Sequence, residues 1–305
     1  MDKRYASRRN LRQRSVYESL DRIESDLTRL LVPAQVLIQR NKEYIQNELT
    51  IKWDDLPKGI DVIAGELHDK PSRVQKKRLQ LQSMINIINQ EIQKIEERNI
   101  EQKEITIIEF GCGSGHLGIL LAYLYPKYTI ILNECKEYSI QNCKERIATA
   151  MLTNIEMYNC DIRSLPPFQL IDNNSNSLFI GVGLHTCGLL CDIILKLMKE
   201  HEYPFVIVPC CYGQLGRLPP AYSQLDYEEY CILSKYLDDR NDILVVTSGA
   251  DICTDTHISK RCMNAIDYYR LHFMHNSKFL GILTELEPLD STPKNQVLIG
   301  QWNDR

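Results

Sequence analysis

The chain has 305 residues, enough for one large domain or two smaller ones with a substantial hydrophobic core. Its composition, 44% hydrophobic and 25% charged, is ordinary for a globular protein. The formal net charge of −4 argues against a chain that is basic throughout, although a local basic patch for nucleic acid is still possible.

Eleven cysteines could indicate a disulfide framework, but that pattern belongs to short secreted chains, and no signal peptide is evident. No apolar run approaches the roughly 20 residues that a membrane-spanning helix needs. We therefore expect reduced cysteines, no membrane contact and a cytoplasmic protein. The basic residues among the first fourteen predict a solvated or RNA-contacting tail, with mitochondrial import as the alternative: Lys3, Arg4, Arg8, Arg9, Arg12 and Arg14.

The first part of the chain has helical periodicity. Ser15 to Glu18 has the spacing of a capping box, and the apolar residues after it fall on one helix face: Val16, Leu20, Ile23, Leu27 and Leu30. A second helix is predicted from Val36 to Leu49, followed by a connecting segment from Trp53 to Pro71. The sequence thus predicts an N-terminal helical segment over residues 1–71 and a second domain over residues 72–305.

From Ser72 a long apolar stripe predicts a helix that packs on the following domain: Val74, Leu81, Ile85, Ile88, Ile92 and Ile95. Lys76, Lys77 and Arg78 stand at its start. They form either a solvated face or a contact for substrate phosphates.

From Ile105 the pattern alternates between short apolar strands and helices. Strands are predicted near residues 105–110, 128–132, 155–160, 178–183 and 205–208. This order predicts an α/β fold with a mostly parallel sheet and helices on both faces. The last two strands, near residues 279–286 and 296–301, predict an antiparallel hairpin at the sheet edge.

A glycine loop follows the first strand of this series. Gly111, Gly113 and Gly115 would let the backbone turn sharply and approach a ligand closely. Residues 113–118 also match the dinucleotide fingerprint G-x-G-x-x-G, so the glycines alone leave the cofactor open.

Acidic residues stand at three successive strand ends. Glu109 precedes the first glycine, where it would oppose a pyrophosphate but suit the ammonium group of S-adenosylmethionine. Glu134 could accept hydrogen bonds from ribose hydroxyls, and Asp161 from the adenine amino group. Their joint placement favours S-adenosylmethionine over a nicotinamide cofactor.

The next two strands end in residues that suit an acceptor pocket. His185 could act as a base or orient a loop, and Cys187 follows it. Cys210, Cys211 and Tyr212 end the next strand, where the tyrosine could stack on a planar acceptor. Convergence of these cysteines with His185 would suggest a metal site, but no C-x-x-C spacing supports one, and none is predicted.

Two motifs carry a family resemblance: residues 183–188, G-L-H-T-C-G, and residues 209–213, P-C-C-Y-G. With them, the chain resembles the glutathione S-transferase C-terminal domain-containing proteins, which are related to methyltransferase-like protein 25 and, distantly, to a tRNA 2′-O-methyltransferase. The resemblance implies a Rossmann-like class I methyltransferase fold. It implies that Glu109, Gly111, Gly113, Glu134 and Asp161 contact the cofactor, and that His185, Cys187, Cys210 and Tyr212 face the acceptor.

The sequence therefore predicts an S-adenosylmethionine-dependent methyltransferase whose acceptor is RNA, such as tRNA or rRNA. A protein side chain is the second choice of acceptor. The rival hypotheses are a non-catalytic scaffold that keeps the cofactor site and a nicotinamide-dependent reductase. No protein partner can be named from the sequence.

Overall fold

The structure is a computed structural model that describes residues 16–27, 37–38, 41–64, 70–99, 102–165, 177–216, 223–252, 256–275 and 279–302. The strands are β1 (Leu37–Ile38), β2 (Glu104–Phe110), β3 (Thr129–Glu134), β4 (Ile155–Asn159), β5 (Ser177–Cys187), β6 (Phe205–Cys210), β7 (Phe279–Glu285) and β8 (Gln296–Trp302). The helices are α1 (residues 16–27), α2 (Asn41–Tyr44), α3 (Pro71–Arg98), α4 (His116–Leu124), α5 (Glu137–Ala150), α6 (Leu189–Glu200), α7 (Gly213–Gly216), α8 (Gln224–Tyr230), α9 (Arg240–Ile252) and α10 (Thr256–Met274).

The first predicted helix is present, and the second is not. Leu20, Ile23 and Leu27 of α1 are buried, as the periodicity predicts; Ser15 and Leu30 lie outside the described residues. The prediction of a helix from Val36 to Leu49 is wrong, because this stretch contains β1 and the single turn α2. Side chains of α3 accept the hydrogen bonds of backbone amides here, from Gln46 and Leu49 among others, and so replace helical bonds.

The long helix α3 is confirmed and begins at Pro71, in the first turn, where proline is tolerated. All six residues of its predicted apolar stripe are buried. They pack in one hydrophobic core with residues of β2, β5 and α4, so the stripe covers the sheet as predicted. The division of the chain after residue 71 stays a prediction.

One eight-stranded sheet organises the molecule, with strand order β1-β7-β8-β6-β5-β2-β3-β4. Within the described residues, β8 is the one strand that runs antiparallel to its neighbours. The predicted hairpin of β7 and β8 is present, but it is not at the edge, because β1 pairs with the outer strand β7. The predicted mostly parallel α/β sheet is confirmed.

Two hydrophobic cores lie on opposite faces of the sheet. Consecutive residues of β2 belong to different cores: Ile107 packs with α3 and α4, whereas Ile108 packs with α1, α6 and α10. Since successive side chains of a strand point to opposite faces, helices cover both faces, as predicted. None of the described helices is long and apolar enough to cross a bilayer.

Candidate cofactor and acceptor site

The glycine loop joins β2 to α4 at the carboxyl end of the parallel strands. Gly111, Gly113 and Gly115 have φ angles of 62°, 57° and 74°, in the left-handed region that favours glycine. A side chain at Gly115 would overlap the thiol of Cys143, whereas a Cβ atom at Gly113 would meet nothing within 4 Å. Gly115 is therefore needed for packing, and Gly113 faces open space that a ligand can occupy.

Glu109 lies behind this loop. It is buried, and its Oε2 accepts a hydrogen bond of 2.7 Å from the backbone amide of Gly118 in the first turn of α4. Burial raises the pKa of Glu109 to about 8. Any side chain at Gly118 would come within 2.6 Å of this carboxylate oxygen. The glycine at 118 thus makes room for both Glu109 and Leu132, whose Cδ2 atom would overlap a Cβ atom there.

Glu134 holds the loop from the next strand. Its carboxylate accepts hydrogen bonds from the backbone amides of Gly113 (3.0 Å), Cys135 (2.8 Å) and Lys136 (2.9 Å). Glu134 also acts electrostatically on Glu109. These two predicted cofactor residues are thus brought together at the loop.

Asp161 follows β4, as predicted. Its carboxylate is bound to the guanidinium of Arg163, which also bonds Asp226, and its side chain is 43% exposed. The Arg163 hydrogen bond lowers the pKa of Asp161. A contact between Asp161 and adenine stays a prediction.

Arg146 of α5 is a structural residue that the sequence analysis missed. Its buried guanidinium donates to the carbonyl oxygens of Gly59 (3.0 Å), Ile60 (2.9 Å) and Ser114 (2.6 Å). It thereby ties the connecting segment to the glycine loop. No local sequence signal marks it, because its partners lie far along the chain.

A crevice of about 520 Å³ lies in front of the glycine loop. Among the predicted site residues, Gly111, Gly113 and His185 line it, and the beginning of α3 closes one side with Arg73, Lys76, Lys77 and Gln80. A larger cavity of about 820 Å³ lies between residues 53–64 and α5, but none of the predicted site residues lines it. We therefore place the functional site in the smaller crevice.

Lys77 lines the crevice and interacts electrostatically with Glu109. Burial lowers its pKa to about 8, and Glu109 opposes that shift through its charge. Of the three predicted basic residues, Lys76 is exposed at the rim, while Arg78 is bound to Asp61 and stacks on Trp53. The interpretation of all three as a solvated face is therefore wrong for Lys77 and Arg78.

His185 stands in an irregular position of β5. Its φ is 70°, and a β-bulge between Leu184 and Thr186 leaves it without a partner in the register with β6. Its Nε2 is 2.9 Å from Oε1 of Gln80, whose amide nitrogen donates to the carbonyl of Ser291. Burial and the nearby Lys77 lower the pKa of His185 to about 4. It is neutral at physiological pH and a weaker base than the sequence suggested.

Three cysteine thiols meet beside the crevice. The Sγ atom of Cys187 is 2.9 Å from that of Cys210 and 3.3 Å from that of Cys211. The hydrogen bond with Cys210 lowers the pKa of Cys187 to about 6 and raises that of Cys210. Cys187 is therefore the thiol of this group that most readily carries a negative charge.

Tyr212 does not face an acceptor. Its side chain is fully buried, and its hydroxyl donates to Asp267 (2.7 Å) in the core. Arg270 binds the same aspartate (2.9 Å) and Asp192 (2.7 Å). The prediction that Tyr212 lies in the acceptor pocket is wrong, because a core partner satisfies its hydroxyl.

Residues 76–217 match a family described as "Methyltransferase domain". These residues form a methyltransferase domain. The matched residues contain the glycine loop and the crevice-lining strand ends, and the cofactor of this class of domain is S-adenosylmethionine. The crevice in front of Gly113 offers space for it.

The chain has relatives among the glutathione S-transferase C-terminal domain-containing proteins. The resemblance predicted from the motifs is therefore confirmed. A homolog from Drosophila melanogaster is 29% identical over 94% of this chain and 46% of its own length. The Xenopus laevis protein is 28% identical over 82% of this chain and 38% of its own. The chain thus spans less than half the length of these relatives.

Solved methyltransferase structures align with this chain at low similarity. An SAH-bound methyltransferase from Podospora anserina shares 12% identity, covers 72% of this chain and 79% of that one, and has a TM-score of 0.37. A likeness of this size supports no argument about substrate. The predicted Rossmann-like methyltransferase fold instead agrees with the matched family and the observed sheet order.

Proposed function

We propose that the chain transfers the methyl group of S-adenosylmethionine to RNA. The observation that carries the choice of acceptor is the basic rim of the crevice, formed by Arg73 and Lys76 at the beginning of α3. Arg73 and Lys76 are exposed. Because the whole chain has a formal charge of −4, this local positive charge favours an acceptor that carries phosphates.

The cofactor supplies a methyl group on a sulfonium that is already activated, so the protein chiefly has to bind and orient the two reactants. Gly113 leaves its backbone open to the ligand, and Glu134, bonded to the amide of Gly113, is proposed to accept hydrogen bonds from the ribose hydroxyls. Glu109, the residue predicted to hold the cofactor's ammonium group, is buried and bonded to the amide of Gly118. Lys77 lines the crevice, and we propose that it binds the cofactor's carboxylate.

His185 is proposed to orient the acceptor. The amide nitrogen of Gln80 donates to Ser291, so its oxygen is the atom that faces His185, and Nε2 of the histidine donates to it. That tautomer leaves Nδ1 as a hydrogen-bond acceptor for a hydroxyl group. With a pKa of about 4, the imidazole positions this hydroxyl more effectively than it removes its proton.

A pair of charge-reversal variants tests the proposal. Lys76→Glu changes an exposed lysine at the crevice rim, and Lys144→Glu changes an exposed lysine of α5 that does not line the crevice. We expect Lys76→Glu to weaken RNA binding and to lower the slope of log affinity against log salt by about 1, because a phosphate contact is lost. Lys144→Glu should leave both unchanged.

S-adenosylhomocysteine binding, measured by calorimetry on the same variants, should not change. Transfer of a labelled methyl group to total RNA should fall with Lys76→Glu only. Labelling of protein extract but not RNA would overturn the proposed acceptor. Tight cofactor binding without transfer to either would favour the scaffold hypothesis, and no cofactor binding would contradict the enzyme itself.

A further inference from the structure

The thiols of Cys187, Cys210 and Cys211 form a cluster beside the crevice that the proposed reaction does not use. Their Sγ atoms are separated by 2.9, 3.3 and 3.6 Å. In the part of the chain that the structure describes, this is the one group of three or more side chains arranged to hold a metal ion. Cys210 is buried, whereas Cys187 and Cys211 are partly exposed. Solvent can therefore reach the cluster.

The backbone brings these residues together by a specific device. Cys187 and Cys210 are direct neighbours in the register of the parallel strands β5 and β6. The bulge at His185 inserts one unpaired residue just before them, and such an insertion reverses which face the following side chains occupy. Cys211 follows with a φ of 50°, in the left-handed region that a non-glycine residue rarely adopts.

We propose that Cys187, Cys210 and Cys211 form a binding site for one thiophilic metal ion, with Zn²⁺ as the first candidate. Thiolates select soft or borderline cations over Mg²⁺ and Ca²⁺. A tetrahedral ion with Zn–S bonds of about 2.3 Å needs sulfur atoms about 3.8 Å apart, so the present cluster has to widen by less than about 1 Å. Small side-chain rotations are sufficient for that.

Three protein thiolates leave a tetrahedral ion with one open position. Structural zinc sites usually have four protein ligands, whereas sites with three keep a position for water or substrate. His185 does not supply the fourth ligand here, because its Nε2 bonds Gln80 and it is not in the cluster. The open position is therefore assigned to a solvent molecule or to a reactant in the crevice.

Charged groups on neighbouring elements suit a site that carries net negative charge. Lys136 interacts electrostatically with Cys187, and Lys77 with Cys210. Asp251 also acts on Cys187 and Cys211, but its carboxylate is bound to the amide of Gly213 and to Lys294. Three thiolates and a divalent cation sum to one negative charge, which the two lysines offset.

Cobalt titration of the reduced, metal-stripped full chain tests the site without the methyl donor. We expect thiolate-to-cobalt charge-transfer absorption and tetrahedral d–d bands that saturate at one ion per chain and disappear on adding Zn²⁺. Changing any single ligand, as in Cys187→Ser, Cys210→Ser or Cys211→Ser, should weaken binding by at least about tenfold. The exposed Cys135→Ser is the matched control and should bind normally.

A second measurement uses the unaltered protein, so it does not depend on variants that fold. Labelling with N-ethylmaleimide, read by mass spectrometry, should slow at Cys187 and Cys211 when Zn²⁺ is present and stay unchanged at Cys135. The absence of cobalt bands, their persistence in a Cys187→Ser/Cys210→Ser double variant, or labelling that ignores Zn²⁺ would overturn the site. Because neither assay needs S-adenosylmethionine, failure of the proposed methyl transfer is a separate result.

Discussion

Gly113 and Gly115 have similar left-handed backbone angles but different surroundings. Alanine at either position carries the same conformational cost of about 1–2 kcal/mol. Gly115→Ala must also displace Cys143, which adds the cost of overpacking, about 1–3 kcal/mol, whereas Gly113→Ala enters open space. We therefore expect Gly115→Ala to lower the free energy of unfolding more, as measured by urea denaturation.

The same pair should show the opposite order in ligand binding. Gly113→Ala places its methyl group in the space proposed for the cofactor, so S-adenosylhomocysteine should bind about tenfold or more weakly at nearly normal stability. Equal stability losses, or normal cofactor affinity in Gly113→Ala, would contradict the roles given to the two glycines.

The raised pKa of the buried Glu109 carboxyl should make the stability of the protein depend on pH. Burial raises its pKa to about 8 in the folded state, so between about pH 5 and 8 the folded state holds a proton that the unfolded state has released. Stability from this group is present at low pH and is lost as the pH rises toward 8, by at most about 1.4 kcal/mol per pH unit.

Glu109→Gln removes the charge but keeps an oxygen for the amide of Gly118. The free energy of unfolding of the variant should therefore rise relative to that of the wild type as the pH rises. Urea unfolding at pH 5, 6.5 and 8 can measure this difference. Parallel curves for the two proteins would show that Glu109 ionises normally in the folded state.

Sequence reasoning located the residues of recognisable motifs in the fold and missed those whose place depends on tertiary contacts. It placed Gly113, Glu134 and His185 at the right strand ends. It treated Lys77 as part of a charged run, although the gap in the apolar stripe between Val74 and Leu81 falls at this position and marks it as inward-facing. Tyr212 was misplaced because its partner Asp267 lies 55 residues away.

At the level of elements, the contact between α6 and α10 rests on a buried ion network. Arg270 of α10 binds Asp192 of α6 and Asp267, and all three side chains are at most 1% exposed. Arg270→Ala leaves two buried carboxylates without their cation, which should cost about 3–5 kcal/mol of unfolding free energy.

The surface pair of Lys196 and Glu229 provides the control for that experiment. Its side chains are 22% and 54% exposed, so Lys196→Ala should cost at most about 1 kcal/mol. Thermal and urea unfolding would compare the two variants, and losses of similar size would show that the buried network adds little.

Element prediction succeeded where local periodicity decides the structure and failed where distant groups do. The stripe of α3 and the apolar strands of the sheet are readable from spacing alone. Residues 36–49 carry a helical pattern, but side chains of α3 take over hydrogen bonds of their backbone, and β1 joins β7. The bulge at His185 likewise depends on pairing with β6, which the sequence of β5 does not reveal.

For the whole molecule, variants in α1 can test whether the N-terminal segment unfolds separately from the rest of the chain. Ile23 is 1% exposed in the same hydrophobic core as α6, α9 and α10. Ile23→Ala should therefore destabilise the single main unfolding transition by about 2–4 kcal/mol. Tyr17→Ala, at a position 40% exposed, is the control and should change little.

If residues 1–71 instead formed an independent unit, Ile23→Ala would lower an early transition and leave the main one in place. Calorimetry combined with fluorescence would separate the two cases. Localisation in the cytoplasm stays a prediction. Contact with RNA through the basic tail also stays a prediction, because the first fifteen residues lie outside the described part of the chain.

The position of β8 has a consequence for synthesis on the ribosome. Among the described strands β8 comes latest in the sequence, yet it lies between β6 and β7, so β7 and β1 have no route into the sheet without it. A nascent chain that has not yet released residues 296–302 therefore presents β6 as an open strand edge of apolar residues. Such an edge invites misassembly and chaperone capture, so slow translation just before Gln296 should lower the yield of native protein.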